Sequence, residues 1–170
     1  MRRLTVLVLV GVLGFVGTAC DPALSRKTSG TFTGTTTYQF DTVGCTFVEQ
    51  EFTGSWVRRQ GAPGGTFELT GCVAIGGSSF PYSGTFLLTT QGGAELRGTV
   101  RGTISTSNNP APLDFTLTVT EASKRFRGAS GKIVLDGEWD FTVGPLFGPN
   151  PISGSLVAVL QDANGQAIAL

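Results

Sequence analysis

Residues Phe126–Phe141 read FRGASGKIVLDGEWDF, and the second half of this stretch decides the fold. Apolar side chains take odd positions and acidic side chains take even ones: Ile133, Leu135, Trp139 and Phe141 against Asp136, Glu138 and Asp140. Because successive side chains of a β-strand point to opposite faces, this alternation is typical of a half-buried strand. We therefore expect the odd positions to fill a core, with a bend in the strand at Gly128 or Gly131.

Shorter copies of one local pattern recur along the chain: an apolar residue, any residue, a glycine, a small residue and an apolar residue. They are FTGSW from Phe52, YSGTF from Tyr82, LRGTV from Leu96, VRGTI from Val100 and ISGSL from Ile152. Glycine within a strand commonly marks a bulge or a tight bend at the corner of a barrel. The repeated pattern therefore indicates strongly coiled strands.

About eight alternating segments follow one another between Gly30 and Leu160, and no helical pattern separates them. Connections are predicted at the breaker cluster 60–65 and at 105–112, where two prolines disfavour regular pairing. We predict an all-β fold, an antiparallel barrel of about eight strands, with a β-sandwich as the alternative. A barrel embedded in a membrane also alternates apolar and polar residues. The domain is expected to span residues 30–170.

Composition narrows the class of protein. Only 14% of the 170 residues are charged and 25 are glycine, which disfavours a helical protein. The basic segment Lys124–Arg127 is too short for a nucleic-acid-binding surface. The chain has no histidine, which removes Ser-His-Asp and Cys-His catalysis and most zinc sites. It also lacks a P-loop and a dinucleotide fingerprint, so we predict no cofactor.

The first twenty residues have the three parts of a secretory signal. Arginines follow Met1, residues 17–19 are small, and the 13 residues from Leu4 to Val16 are almost wholly apolar, shorter than the roughly 20 that span a bilayer. The ending VGTAC resembles a bacterial lipoprotein signal, in which the cysteine receives diacylglycerol and becomes the new N-terminus. Thr18 and Ala19 match that pattern, whereas Gly17 replaces the usual aliphatic residue.

The resemblance implies a signal peptide over residues 1–19, a lipidated Cys20 and a tether over residues 20–29. It implies that the protein lies in the bacterial cell envelope, outside the cytoplasm, and is attached to a membrane. Ordinary signal cleavage and secretion are the alternative. Cysteine arithmetic supports lipidation, because three cysteines leave one unpaired. If Cys20 carries lipid, Cys45 and Cys72 remain as a pair that an oxidising compartment would join.

The segment KRFRGASG from Lys124 to Gly131 resembles a strand opening of secreted bacterial β-barrels related to the allene oxide cyclase and dirigent folds, which are calycin-type barrels. Phe126, Gly128, Ala129 and Gly131 carry the match. The resemblance implies an eight-stranded barrel with an apolar interior. It does not place those families' catalytic acidic and basic residues on positions of this chain.

Two groups of residues are candidates for a site. Trp56, Tyr82 and Trp139 lie on apolar faces and could line a ligand pocket, with core packing as the simpler interpretation. The carboxylates of Asp136, Glu138 and Asp140 share one strand face and are weak candidates for binding a hard cation.

We predict an envelope lipoprotein whose non-enzymatic barrel binds a small apolar ligand or a protein partner. The alternative is an enzyme of the cyclase or isomerase kind, with a carboxylate inside the barrel. Acids in the predicted strands lie opposite the aromatic residues, which favours the non-enzymatic interpretation.

Overall fold

The computed structural model describes residues 27–46, 48–59, 61–74, 77–105, 107–143 and 148–170. The predicted signal peptide and Cys20 lie outside these ranges. The described chain forms β1 (Thr28–Phe40), β2 (Val48–Arg58), β3 (Pro63–Val73), β4 (Ser79–Thr90), β5 (Glu95–Ser105), β6 (Ala111–Ala122), β7 (Ser130–Trp139), β8 (Asn150–Gln161) and β9 (Ala167–Ile168). One short 3₁₀ turn, Lys124–Phe126, precedes β7.

The first eight strands form a closed barrel. Each strand pairs antiparallel with the next along the chain, and β8 returns to pair with β1. The short β9 pairs with the end of β8. The predicted barrel is therefore confirmed. Closure satisfies the backbone groups that a sandwich would leave at its sheet edges. The ring and its core are formed by described residues between Thr28 and Leu170.

The interior is packed with apolar side chains. In β6, for example, Leu113, Phe115 and Leu117 are buried and alternate with more exposed residues. The rings of Phe52, Tyr82 and Phe115 contact one another across the barrel, with centroids 5.0–5.4 Å apart. An eight-stranded barrel is just wide enough for side chains to fill it. The aromatic side chains inside the barrel therefore serve as core.

The outer face of the barrel is polar. Threonines line up across four strands, because Thr70 faces Thr85, Thr85 faces Thr99, and Thr99 faces Thr118. Barrels embedded in lipid have the reverse arrangement, with the apolar band on the outside. The alternation read from the sequence thus places polar residues outside and apolar residues inside.

The recurrent glycines allow backbones and aromatic rings to approach closely. Gly137 of β7 lies opposite Gly154 of β8. A Cβ atom at either position would lie 2.7–2.8 Å from the ring of Phe32, closer than atoms pack. The ring therefore covers the glycine pair, which replaces the packing that the missing side chains would supply.

The stretch Phe126–Phe141 is not one continuous strand. β7 covers only Ser130–Trp139. Phe126 lies in the 3₁₀ turn and is 2% exposed, whereas Phe141 lies beyond the strand and is 37% exposed. The prediction that Phe141 fills the core is therefore wrong. Gly128 adopts φ +79°, a conformation that favours glycine, and it reverses the chain before the strand begins.

Three predicted boundaries also shift. The tether was expected to end at Ser29, but β1 begins at Thr28, where the strand pairs with β8. The predicted breaker segments overlap the starts of β3 at Pro63 and β6 at Ala111. Pro112 has no N–H to donate, yet it lies within β6. The pairing of β6 with β5 extends only to Leu113, the next residue, so the proline removes no hydrogen bond between these two strands.

Candidate functional site

The two ends of the barrel differ in construction. At one end, which we call the closed end, buried Ala94, Phe126 and Leu170 fill the barrel mouth. The chain enters β1 at this end. At the opposite end, which we call the aromatic end, four rings lie at the termini of β1 and β7: Tyr38, Phe40, Trp139 and Phe141.

The rings of the aromatic end form a chain of edge-on contacts. The centroid of Tyr38 lies 6.2 Å from that of Phe40 and 6.4 Å from that of Trp139. Trp139 in turn lies 5.4 Å from Phe141. Phe40 and Phe141 are 52% and 37% exposed, so the cluster presents apolar surface to solvent. Aromatic residues are enriched in protein interfaces, and tryptophan and tyrosine are common among the few residues that dominate the binding energy.

A disulfide fixes one side of the aromatic end. Cys45 lies in the β1–β2 connection and bonds to Cys72 near the end of β3, with a Cα–Cα distance of 5.5 Å. The predicted pairing of these two cysteines is confirmed. The bond ties the connection that follows Phe40 to the barrel wall.

A hydrogen-bonded clasp fixes the other side. The amide Nδ2 of Asn109 donates to the carboxylate of Asp140 at 3.0 Å, and the hydroxyl of Thr142 donates to the same oxygen at 2.8 Å. The backbone N–H of Phe141 donates to Oδ1 of Asn109 at 3.2 Å. The clasp thus joins two connections and positions Phe141. The hydrogen bonds from Asn109 and Thr142 lower the pKa of Asp140.

The predicted cation site does not assemble. Asp140 belongs to the clasp, whereas Asp136 and Glu138 are exposed on the outer face of β7. Asp136 faces Asp114 on β6 and Ser155 on β8. Within the described residues, no group of three or more acidic or cysteine side chains is arranged to hold a metal ion.

The three predicted ligand-lining residues separate. Trp56 and Tyr82 are 1% and 2% exposed and pack within the core, whereas Trp139 is half-buried at the aromatic end. The hydroxyl of Tyr82 donates to the backbone carbonyl of Gln50 at 3.1 Å, and Nε2 of Gln50 donates to Thr36. Burial raises the pKa of Tyr82, and nearby Glu49 and Glu51 add to the shift.

The described acidic side chains face outward or lie at the surface, as the sequence pattern predicts. The buried polar residues in the same part of the chain are neutral: Thr28, Thr36, Gln50, Thr90 and Asn150. The interior carboxylate that the enzyme hypothesis requires is therefore not among the described residues. A cleft of about 500 Å³ lies instead on the outer face of β3–β6, where Arg97 bonds Glu95 at 2.8 Å.

Charge divides along the barrel axis. Acidic residues gather in the half nearest the aromatic end: Asp41, Glu49, Glu51, Asp114, Asp136, Glu138 and Asp140. Basic residues gather in and beside the connections of the closed end: Lys27, Arg58, Arg59, Lys124, Arg125 and Arg127. The barrel therefore carries opposite charge at its two ends.

Sequence reasoning missed the aromatic end as a surface. Their place in the sequence could have indicated exposure, because Phe40 and Phe141 each end an alternating segment and directly precede turn residues. It also missed the separation of charge, because the basic residues lie far apart in sequence and meet only when successive hairpins are folded.

The chain matches no protein-family model, no curated protein and no solved structure at a significant level. Among the described residues, no helix has the length and hydropathy of a membrane span.

Proposed function

We propose that this protein is a lipoprotein of the bacterial cell envelope, whose filled barrel displays the aromatic end to a protein partner. The observation that carries the proposal is the exposed aromatic cluster on a rigid barrel, at the end opposite the point where the chain enters. The lipid would be carried by Cys20, which completes the lipobox-like ending of the leader.

Two features support the lipid anchor. The pairing of Cys45 with Cys72 leaves Cys20 as the odd cysteine, as expected if Cys20 is modified. A disulfide is also typical of proteins outside the cytoplasm. An anchor at residue 20 would hold the closed end towards the membrane and direct the aromatic end away from it.

The packed interior favours binding on the outside of the barrel. The contacting rings of Phe52, Tyr82 and Phe115 occupy the space that a small apolar ligand would need. At the aromatic end, by contrast, Phe141 is exposed and held in place by the clasp. Rigid aromatic side chains lose little entropy when they bind.

The charges around the aromatic end define the partner's chemistry. The acidic residues of this half of the barrel would repel an acidic surface and attract a basic one. We therefore expect a partner with apolar side chains at the centre of its interface and lysine or arginine at the rim.

The anchor is tested by replacing Cys20 with serine in the full chain expressed in a bacterium. We expect the unaltered protein to partition with membranes and to incorporate labelled fatty acid, and Cys20→Ser to lose both properties. The control is Cys45→Ser combined with Cys72→Ser, which should keep both. Membrane partitioning and labelling that survive Cys20→Ser would overturn the lipoprotein proposal.

The interface is tested with a photo-crosslinking amino acid at position 141 or at position 159. Phe141 and Val159 are 37% and 40% exposed, so the two probes are matched in accessibility. We expect a discrete protein adduct from position 141 only, and its loss when Trp139 is also changed to serine. Equal adducts from both positions would contradict the proposal. Stoichiometric binding of an apolar dye at position 141, without an adduct, would favour a small ligand.

A further inference from the structure

The closed end carries basic residues whose charge is not balanced by nearby acids. Four acids lie in this half of the barrel or at its middle, Glu68, Glu95, Glu121 and Asp162, against eight basic residues among those described. Glu95 bonds Arg97, and Glu121 faces Arg97 across β5 and β6. The carboxylate of Asp162 accepts hydrogen bonds from two backbone N–H groups of its own turn. The surface of the closed end therefore carries a net positive charge.

Three of these residues meet in one cleft. Arg58 at the end of β2, together with Lys124 and Arg125 of the β6–β7 connection and the β4–β5 turn, lines a space of about 350 Å³. Among the described residues, no acidic side chain lines this cleft. The guanidinium of Arg125 stacks on the ring of Phe126 at 4.5 Å, which limits its freedom. Nε of Arg58 is buried and has no hydrogen-bond partner among the described residues.

A second basic cleft adjoins the first at the point where the chain enters the barrel. It measures about 450 Å³ and is lined by Arg58 and Arg59 together with Ser29 and Gly30 at the start of β1. Arg58 is common to both clefts. The seven residue steps from Cys20 to Lys27 can extend at most about 25 Å. A lipid on Cys20 would therefore keep both clefts close to a membrane surface.

We propose that the closed end is a membrane-facing surface, on which Arg58, Lys124 and Arg125 bind the phosphate groups of anionic lipid headgroups. The inference rests on the proposed lipid anchor for its location. Arginine and lysine bind phosphate oxygens through charge-assisted hydrogen bonds. A lipid anchor and a basic surface together bind a membrane more firmly than either alone, because the anchor raises the local concentration of headgroups.

This arrangement also orients the barrel. Anionic headgroups attract the closed end and repel the acidic half that carries the aromatic end. The barrel would stand with its closed end on the membrane and its aromatic end exposed to a partner. The basic surface would thus strengthen the orientation that an anchor at residue 20 favours.

The test uses residues 21–170, which lack Cys20 but contain the whole barrel, with vesicles of phosphatidylcholine alone or mixed with phosphatidylglycerol. We expect sedimentation with the anionic vesicles only, and weaker binding as salt is raised. Arg125→Gln should weaken binding by about fivefold, the effect of one basic residue near an anionic surface. Lys124→Gln should weaken binding by a similar factor. Agreement between the two variants would show that the loss in Arg125→Gln comes from the missing charge and not from altered packing of Phe126.

The matched control is Arg101→Gln, which removes the same charge from the middle of the outer wall on β5. It should leave binding unchanged, and circular dichroism should show each variant folded. Equal binding to neutral vesicles, or equal loss in Arg101→Gln and Arg125→Gln, would overturn the proposal. Binding of soluble glycerol phosphate as tightly as anionic vesicles would instead indicate a single-anion pocket and also overturn it. Because Cys20 is absent, these results are independent of the test of lipidation.

Discussion

The closed end and the aromatic end finish the same eight strands in opposite ways. At the closed end, short hydrogen-bonded turns bring apolar side chains into the barrel mouth, and basic residues surround them. At the aromatic end, a disulfide and the Asn109–Asp140 clasp hold the connections, while rings remain at the surface. One end is stabilised by burial, whereas the other is stabilised by cross-links.

The two ends thus differ in whether their apolar side chains stabilise the fold or remain available for contacts with another molecule. A barrel mouth filled by apolar side chains needs no partner, because its hydrophobic surface is already removed from water. A mouth held by cross-links can leave aromatic side chains exposed without losing its shape. We therefore infer that the exposed rings of the aromatic end are available for apolar contacts with a partner, whereas the apolar side chains in the mouth of the closed end serve to pack the barrel. Four predictions test this contrast, from the largest expected effect to the smallest.

The largest effect is expected from Phe126→Ala at the closed end. Phe126 is 2% exposed, so its removal leaves a cavity and should lower the free energy of unfolding by about 3–5 kcal/mol. Phe141→Ala, at the aromatic end, should lower it by less than about 1 kcal/mol. Urea denaturation of both variants measures the difference. Similar losses in the two variants would show that the ends do not differ as the burial indicates.

Removal of the disulfide should have the second-largest effect. Cys45 and Cys72 are 27 residues apart, and closing a loop of this length stabilises the folded state by about 3–4 kcal/mol in the chain-entropy treatment. The combined change Cys45→Ser and Cys72→Ser should lose this stability, as measured by urea denaturation. Hydrogen exchange should speed up first in the β1–β2 connection, and uniform acceleration that includes the closed end would argue against a local role.

The burial of Phe126 and Phe141 also shows what the sequence could predict. Strand parity correctly placed the interior of the barrel, because alternation is dictated by the geometry of each strand. At strand ends that rule no longer applies. Gly128 reverses the chain and returns Phe126 to the barrel mouth, whereas Phe141 follows the last residue of β7 and leaves it. Parity alone assigns Phe141, at an odd position, to the core and Phe126, at an even position, to the opposite face.

The candidate sites depended on contacts that the sequence does not encode locally. Cysteine counting was enough to pair Cys45 with Cys72. The clasp, however, joins Asn109 to a carboxylate 31 residues away, and only the order of hairpins brings the two connections together. The same order gathers Arg58 and Lys124 at one cleft. These features become predictable only once the barrel topology is known.

A third prediction concerns the polar network beneath the aromatic end. Tyr82→Phe removes the hydroxyl that donates to Gln50 and should lower the free energy of unfolding by about 1 kcal/mol. Because burial raises the pKa of Tyr82, the folded state keeps the phenol neutral, and the stability that this contributes is lost as pH rises above the ordinary value of 10.0.

Alkaline titration followed by tyrosinate absorbance checks this prediction. The chain has two tyrosines, so the signals can be separated. Half-buried Tyr38 should ionise in the folded barrel, and Tyr82 only as the barrel unfolds. Tyr82→Phe should remove the signal that accompanies unfolding, and Tyr38→Phe should remove the earlier one. Ionisation of Tyr82 before unfolding would contradict the burial of its hydroxyl.

The smallest effect is expected at the clasp. The pKa of Asp140 lies below its ordinary value of 3.8 because Asn109 and Thr142 donate to its carboxylate. This lowered pKa stabilises the folded state above that value, and the contribution is lost as pH falls through the folded pKa. Asn109→Ala should raise the pKa of Asp140 towards its ordinary value, as measured by NMR titration of the carboxylate carbon. An unchanged pKa of Asp140 would show that the hydrogen bond from Asn109 to this carboxylate does not persist in solution. The clasp would then not fix the position of Phe141, and the disulfide would be the remaining cross-link of the aromatic end among the described residues.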